Sequence, residues 1–124
     1  MWLTTRLIGR VRRTVDYLID PKSGRSYYSQ FLATQGSDVA MRASKALTKI
    51  EKGNMGRVTR LTFKNELYYA PLYEYEIDYK QGFRIYFLDE HGRKTIMTMG
   101  VKKTQHKDVA FCGKKYEEMR HKGY

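Results

Sequence analysis

The stretch YEYEIDYKQGFRIYF, residues 73–87, alternates so regularly that it leaves the chain little freedom. Side chains of a strand point to opposite faces in turn, so this pattern gives one face to a core and the other to polar groups. Two such strands joined at Lys80-Gln81-Gly82 predict a hairpin, since three-residue loops commonly end in a residue with positive φ, which Gly82 supplies. With that loop Tyr79 faces Phe83, Asp78 faces Arg84, Ile77 faces Ile85 and Glu76 faces Tyr86. One face then holds Tyr75, Ile77, Tyr79, Phe83, Ile85 and Phe87, and the other holds Glu74, Glu76, Asp78, Arg84 and Tyr86. A slip of one residue in either strand would exchange the two sets. The polar face has two readings. One is cross-strand charge pairing, worth about 0.2–1 kcal/mol per pair. The other is an acid–base site in a cationic surround, where a neighbouring guanidinium favours an ionised carboxylate and so a base over an acid.

Around this hairpin the remaining elements fall into order. TVDYLI (14–19) reads as a strand, broken by Asp20-Pro21-Lys22-Ser23-Gly24. SYYSQFLA (26–33) sets Tyr27 and Tyr28 one helical turn before Phe31 and Leu32. A helix is expected from about Asp38 to Lys52, with Val39, Ala43, Leu47 and Ile50 as its apolar stripe, Ser37 or Asp38 as its cap and Gly53 as its end. RVTRLTF (57–63) reads as a strand with Leu61 and Phe63 inward. KTIMTM (94–99) is another, and its turn at 88–95 leaves open whether Thr95, Met97 and Met99 or instead Ile96 is buried. A last helix around 108–120 offers Val109, Cys112, Tyr116 and Met119 as its apolar face. Gly113 weakens it by roughly 1 kcal/mol relative to alanine. The order predicts an α+β fold with a mainly antiparallel, twisted sheet of four to five strands and a C-terminal helix.

A chain of 124 residues fits one domain, 14–124, preceded by a basic arm over residues 1–13. No apolar run approaches the ~20 residues of a membrane-spanning helix, and the start lacks the apolar stretch of a secretory signal. The single Cys112 cannot close an internal disulfide and fits a reducing compartment. The expectation is a soluble, cytoplasmic protein. The net charge of +11 is uneven: residues 1–60 carry +8, residues 61–101 carry −1 and residues 102–124 carry +4. A basic protein with a nearly neutral centre suggests a polyanionic partner, nucleic acid first. On the helix 38–52, Arg42, Lys45, Lys49 and Lys52 recur as a basic stripe, either a solvated face or a polyanion contact.

Phosphate-loop and dinucleotide glycine motifs are missing, as is any Ser, Cys or Thr in a nucleophile context. One cysteine and the scattered His91, His106 and His121 match no structural zinc spacing, so no metal and no cofactor is expected. His91, in the DEHG segment, reads as a turn residue. What remains is MGVKKTQHKD, residues 99–108. Here Lys102, Lys103, Thr104, Gln105, His106 and Lys107 crowd the passage from a strand into a helix. Ammonium groups beside the outward N–H groups of a helix start suit a phosphate.

The GRSYYSQFL segment, the helix closing on GNMG, the LYEYEIDYKQGFRIYF hairpin and VKKTQ before the last helix together resemble the RelE/ParE toxin superfamily, in particular its HigB-like, phage-derived killer proteins. The resemblance covers about residues 14–120. It implies two N-terminal helices packed on the sheet, and a partner antitoxin, often of helix-turn-helix type. It also implies metal-free, ribosome-dependent cleavage of mRNA that inhibits translation and arrests growth. ParE-like members instead inhibit DNA gyrase, and a plain basic nucleic-acid-binding module is a third reading. By position, the resemblance puts Arg84 with Lys102 and Lys103 on the scissile phosphate. RelE has lysines where this chain has Glu74 and Glu76, so its lysine-based proton transfer does not carry over. Some relatives use a glutamate base and a histidine acid, which makes Glu76 (or Glu66) with His106 a candidate substitute pair, and Tyr86, expected across from Glu76, could stack or donate a proton. Arg42, Lys45, Lys49 and Lys107 are the candidate RNA contacts.

Overall fold

In the computed structural model residues 15–54, 56–61 and 70–121 are described, so the expectations for the arm 1–13, for Thr14, Phe63 and Glu66 lie outside the described residues. In chain order the elements are β1 (Val15–Tyr17), β2 (Ile19–Asp20), β3 (Arg25–Ser26), α1 (Tyr27–Leu32), α2 (Ser37–Glu51), β4 (Val58–Arg60), β5 (Leu72–Ile77), β6 (Phe83–Glu90) and β7 (Arg93–Val101). A 3-10 turn (Lys102–Thr104) then leads into α3 (Gln105–His121). The main sheet has the order β1-β7-β6-β5-β4. Its β1–β7 pair is parallel and its other pairs are antiparallel. The α+β class, the mainly antiparallel sheet and the C-terminal helix agree with the sequence pattern.

The N-terminal part is arranged differently from the expectation. The strand read over 14–19 breaks at Leu18, whose N–H donates to Ile96 O at 2.9 Å and whose carbonyl accepts from Tyr27 N at 3.2 Å. Beyond that point β2 leaves the main sheet and pairs with β3 in a small ladder of its own. Helix α1 is only six residues long, and Ser26 caps it by accepting from Ser29 N at 2.9 Å. It touches both layers of the molecule. Phe31 meets Phe83 edge-on at 6.2 Å, while Tyr27 turns to Phe111 of α3 at 4.9 Å.

The central hairpin keeps the expected faces but not the expected pairs. Ile77 stands opposite Phe83, Glu76 opposite Arg84, Tyr75 opposite Ile85 and Glu74 opposite Tyr86. The connection is five residues, 78–82, with positive φ at both Lys80 (53°) and Gly82 (77°). A shift of two residues leaves every side chain on its face, because the strand period is two. The next connection is a two-residue turn at His91-Gly92, both with positive φ, which suits the right-handed twist of the flanking strands. Between Tyr86 and Phe87 the register with β7 slips: Tyr86 pairs with Thr98 and Phe87 with Ile96, so Met97 is the extra residue of a bulge. Ile96 and Met97 are both fully buried, on opposite sides of the sheet, because both of its faces are covered.

Both faces of the sheet are covered. On one, Val39, Ala43, Ala46 and Ile50 of α2 and Tyr28 of α1 pack against Tyr75, Phe83, Ile85 and Phe87. On the other, Cys112 packs with Leu72, Tyr86, Leu88 and Met97, and Val109, Tyr116 and Met119 flank it as the predicted helix face. Helix α2 begins one residue earlier than expected, after Gly36, without a side-chain cap. Helix α3 begins at Gln105, three residues before the expected start, and this brings a polar turn onto the sheet. Ile85 lies at the centre of β6 with no exposed surface. Ile85→Ala should therefore cost about 2–5 kcal/mol, read as a loss of unfolding free energy in a urea titration.

Candidate nucleic-acid interface and the ionic cluster beside it

The polar face of the hairpin carries a buried ionic cluster. Arg84 is 6% exposed and Glu74 is 6% exposed, although each bears a full charge in its ordinary state. Burial of this kind requires partners. Arg84 Nε lies 3.4 Å from Glu74 Oε2, a charge contact whose angle misses a hydrogen bond. Its Nη2 donates to Glu76 Oε2 at 3.4 Å, and its Nη1 donates to the Gly82 carbonyl at 3.2 Å. The first turn of α3 closes the cluster. Gln105 Nε2 donates to Glu74 Oε1 at 2.6 Å, and Thr104 Oγ1 donates to Asp108 Oδ2 at 2.7 Å. Gly100, opposite Arg84 on β7, makes room for this, since a Cβ there would collide with the Asp108 carboxylate. Burial raises the Asp108 carboxyl above its ordinary 3.8, against the Thr104 hydrogen bond and Lys107, which lower it.

Two assignments made from the sequence need correction here. Tyr86 was expected across from Glu76 as a stacking or proton-donating group, but it pairs with Glu74 and has no exposed surface. Its hydroxyl is enclosed with no hydrogen-bond partner among the described residues. Burial first and Glu74 second push it above the ordinary tyrosine value, so it cannot reach a substrate or readily release a proton. Arg84 was expected opposite Asp78 as a free phosphate ligand. In the structure Glu74, Glu76 and a carbonyl surround it, and its charge is already answered.

The two distant cationic segments do meet. The Gly82 carbonyl that accepts from Arg84 also accepts from Lys102 N at 2.8 Å, which pins the start of the Lys102–Thr104 turn to the hairpin loop. Lys102 and Lys103 are exposed there, as are His106 and Lys107 on the next turn. Among the described residues no hydrogen bond or ion pair links His106 to Glu76, whose carboxylate is half exposed and tied to Arg84. Cys112, the one thiol, is buried, and burial raises it out of nucleophilic range.

On the other side of β5 lies an open cleft of about 260 Å³. Arg42, Lys45 and Lys49, the basic stripe read from the sequence, form its α2 wall. Arg57 was not singled out from the sequence. It joins them from the turn before β4, positioned by a 2.9 Å hydrogen bond from its Nε to the Glu76 carbonyl. The only signal for Arg57 was its place just after the GNMG turn, which does not say what it faces. Arg42 also stacks its guanidinium 3.8 Å above the Tyr79 ring. Tyr79 contacts Phe83 as well, so its ring is occupied by protein.

Comparison of the chain with protein-family models, with curated proteins and with solved structures finds no match. Among the described residues no group of three or more His, Cys, Asp or Glu is placed to hold a metal ion, and no helix is long and apolar enough to cross a membrane.

The burial pattern makes opposite predictions for two neighbouring residues. Arg84→Ala strands two carboxylates, one of them buried, and should cost about 3–5 kcal/mol in a denaturant titration. Tyr86→Phe removes an unpartnered buried hydroxyl and should leave stability unchanged or raise it by about 1 kcal/mol in the same titration.

Proposed function

We propose that this chain is a toxin of the RelE/ParE kind that cleaves mRNA on the ribosome without a metal and is held inactive by a cognate antitoxin. One observation carries the reading: the Gly82 carbonyl joins the Lys102-Lys103 turn to the Arg84 hairpin, so exposed ammonium groups and the half-exposed Glu76 share one end of the sheet. The reaction needs a proton taken from a 2′-hydroxyl, charge neutralised at phosphorus and a proton given to the departing 5′-oxygen. The P–O2′ bond forms as the P–O5′ bond breaks. In this reading Lys102 and Lys103 neutralise the phosphate, where fixed charge contributes most. Glu76 accepts the 2′ proton, with Arg84 as the positioning residue behind it. His106, exposed on the first turn of α3, supplies the proton to the 5′-oxygen.

A second reading, a toxin of ParE type acting on gyrase without cleaving RNA, is favoured by one feature. Two carboxylates already hold Arg84, which leaves cleavage without its guanidinium. The readings separate on induction of the gene and mapping of cellular mRNA 5′ ends. The nuclease reading expects new 5′ ends in translated messages, reduced about 100-fold in a Lys102→Ala/Lys103→Ala variant whose melting temperature is unchanged. Growth arrest with intact mRNA, together with trapped cleaved DNA in a supercoiling assay, would replace it with the gyrase reading.

A further inference from the structure

The cleft between α2 and β5 meets the chemistry assigned above only at Glu76, which is part of its lining; its cationic residues have no role in that chemistry. Four of its lining residues are cations from two elements, Arg42, Lys45 and Lys49 on α2 and Arg57 facing them. All four are exposed, and none makes an ion pair among the described residues. Four unneutralised cations within one cleft repel one another, an arrangement that an anion relieves. Lys45 and Lys49 are one helical turn apart, about 6 Å along the axis, so they present charges in a row and not at a point. Of the aromatic rings beside the row, Tyr75 lines the cleft but is buried, and Tyr79 is covered by Arg42 and in contact with Phe83, so neither offers a platform for a base. Charge without stacking or base-edge donors recognises a backbone and not a sequence. Two carboxylates also line the cleft: Glu76, whose charge is held by Arg84, and the exposed Asp78, which opposes a polyanion there.

We infer that the cationic part of this cleft is a sequence-indifferent binding track for a single-stranded phosphodiester chain, leading up to Glu76 and distinct from the Lys102-Lys103 phosphate contact. The inference rests on the reading of RNA as the substrate and adds where a strand outside the reacting phosphate lies. The messenger RNA of that reading is single-stranded, and a positively charged groove that follows the backbone is how such strands are held.

The test measures binding of the purified protein to a fluorescent oligouridylate across a salt series. Replacing Lys45 and Lys49 by glutamine should weaken binding at least 10-fold near 0.1 M salt. It should also flatten the slope of log K against log salt by about 0.7 for each lysine removed. Asp78→Asn should tighten binding two- to three-fold. The control pair Lys22→Gln/Lys114→Gln removes the same charge from exposed positions outside the cleft and should change binding less than two-fold. Equal loss in the control pair would reduce the effect to net charge and overturn the track. So would an unchanged slope in the cleft variant, tighter binding of a hairpin duplex, or a wild-type protein that binds polyglutamate in place of the oligonucleotide. Cleavage is measured separately, by the mapping of mRNA ends, so the two proposals fail independently.

Discussion

Burying a guanidinium costs several kcal/mol unless other groups answer it, and around Arg84 three do so: Glu74, Glu76 and the Gly82 carbonyl. Much of the molecule follows from meeting that requirement. Glu74 must itself be buried to reach Nε, and it needs Gln105 on its other oxygen. Gln105 can be there only if the last helix starts three residues earlier than its apolar pattern suggests. The same Gly82 carbonyl then fixes where Lys102 begins its turn. One charge on the middle strand thus ties the hairpin loop, the end of β7 and the start of α3 to one another.

This layer lies beside an ordinary apolar one. Cys112, Leu72, Leu88 and Met97 fill the interior under α3, and the ionic cluster occupies the end near the helix start. Apolar packing has no direction, so it would tolerate a helix slid by a turn. The bonds from Gln105 to Glu74 and from Thr104 to Asp108 would not, because a slide leaves a buried carboxylate without its donor. Gly100 belongs to the same logic, since its missing side chain lets the Asp108 carboxylate come close to the sheet.

Much of this was legible in the sequence. The alternation over 73–87 gave the correct faces of both strands, and Val109, Cys112, Tyr116 and Met119 do form the inner face of the last helix. The hairpin pairs were displaced by two because a five-residue connection with a left-handed Lys80 carries no strong mark, while Gly82 alone invites a shorter loop. The Met97 bulge was illegible for a similar reason: Thr95 to Met99 is apolar or small at every position, and a strand buried on both faces has no alternation to read. The largest gap concerned Arg84. Local pattern separates polar from apolar faces, but it does not say whether the polar face meets water or another helix. The covering of this face depends on residues some twenty positions downstream.

The parallel pairing of β1 with β7 has a consequence of a different kind. Val15 stands beside Lys94, so the outer strand of the sheet joins residues about 80 positions apart, while each of the other pairings in that sheet links neighbouring strands. During synthesis β1 must wait for this pairing until β7, about 80 residues later, has left the ribosome. The β5–β6–β7 meander can assemble from local contacts. Sequence separation thus favours assembly of the centre first, with β1 joining it afterwards.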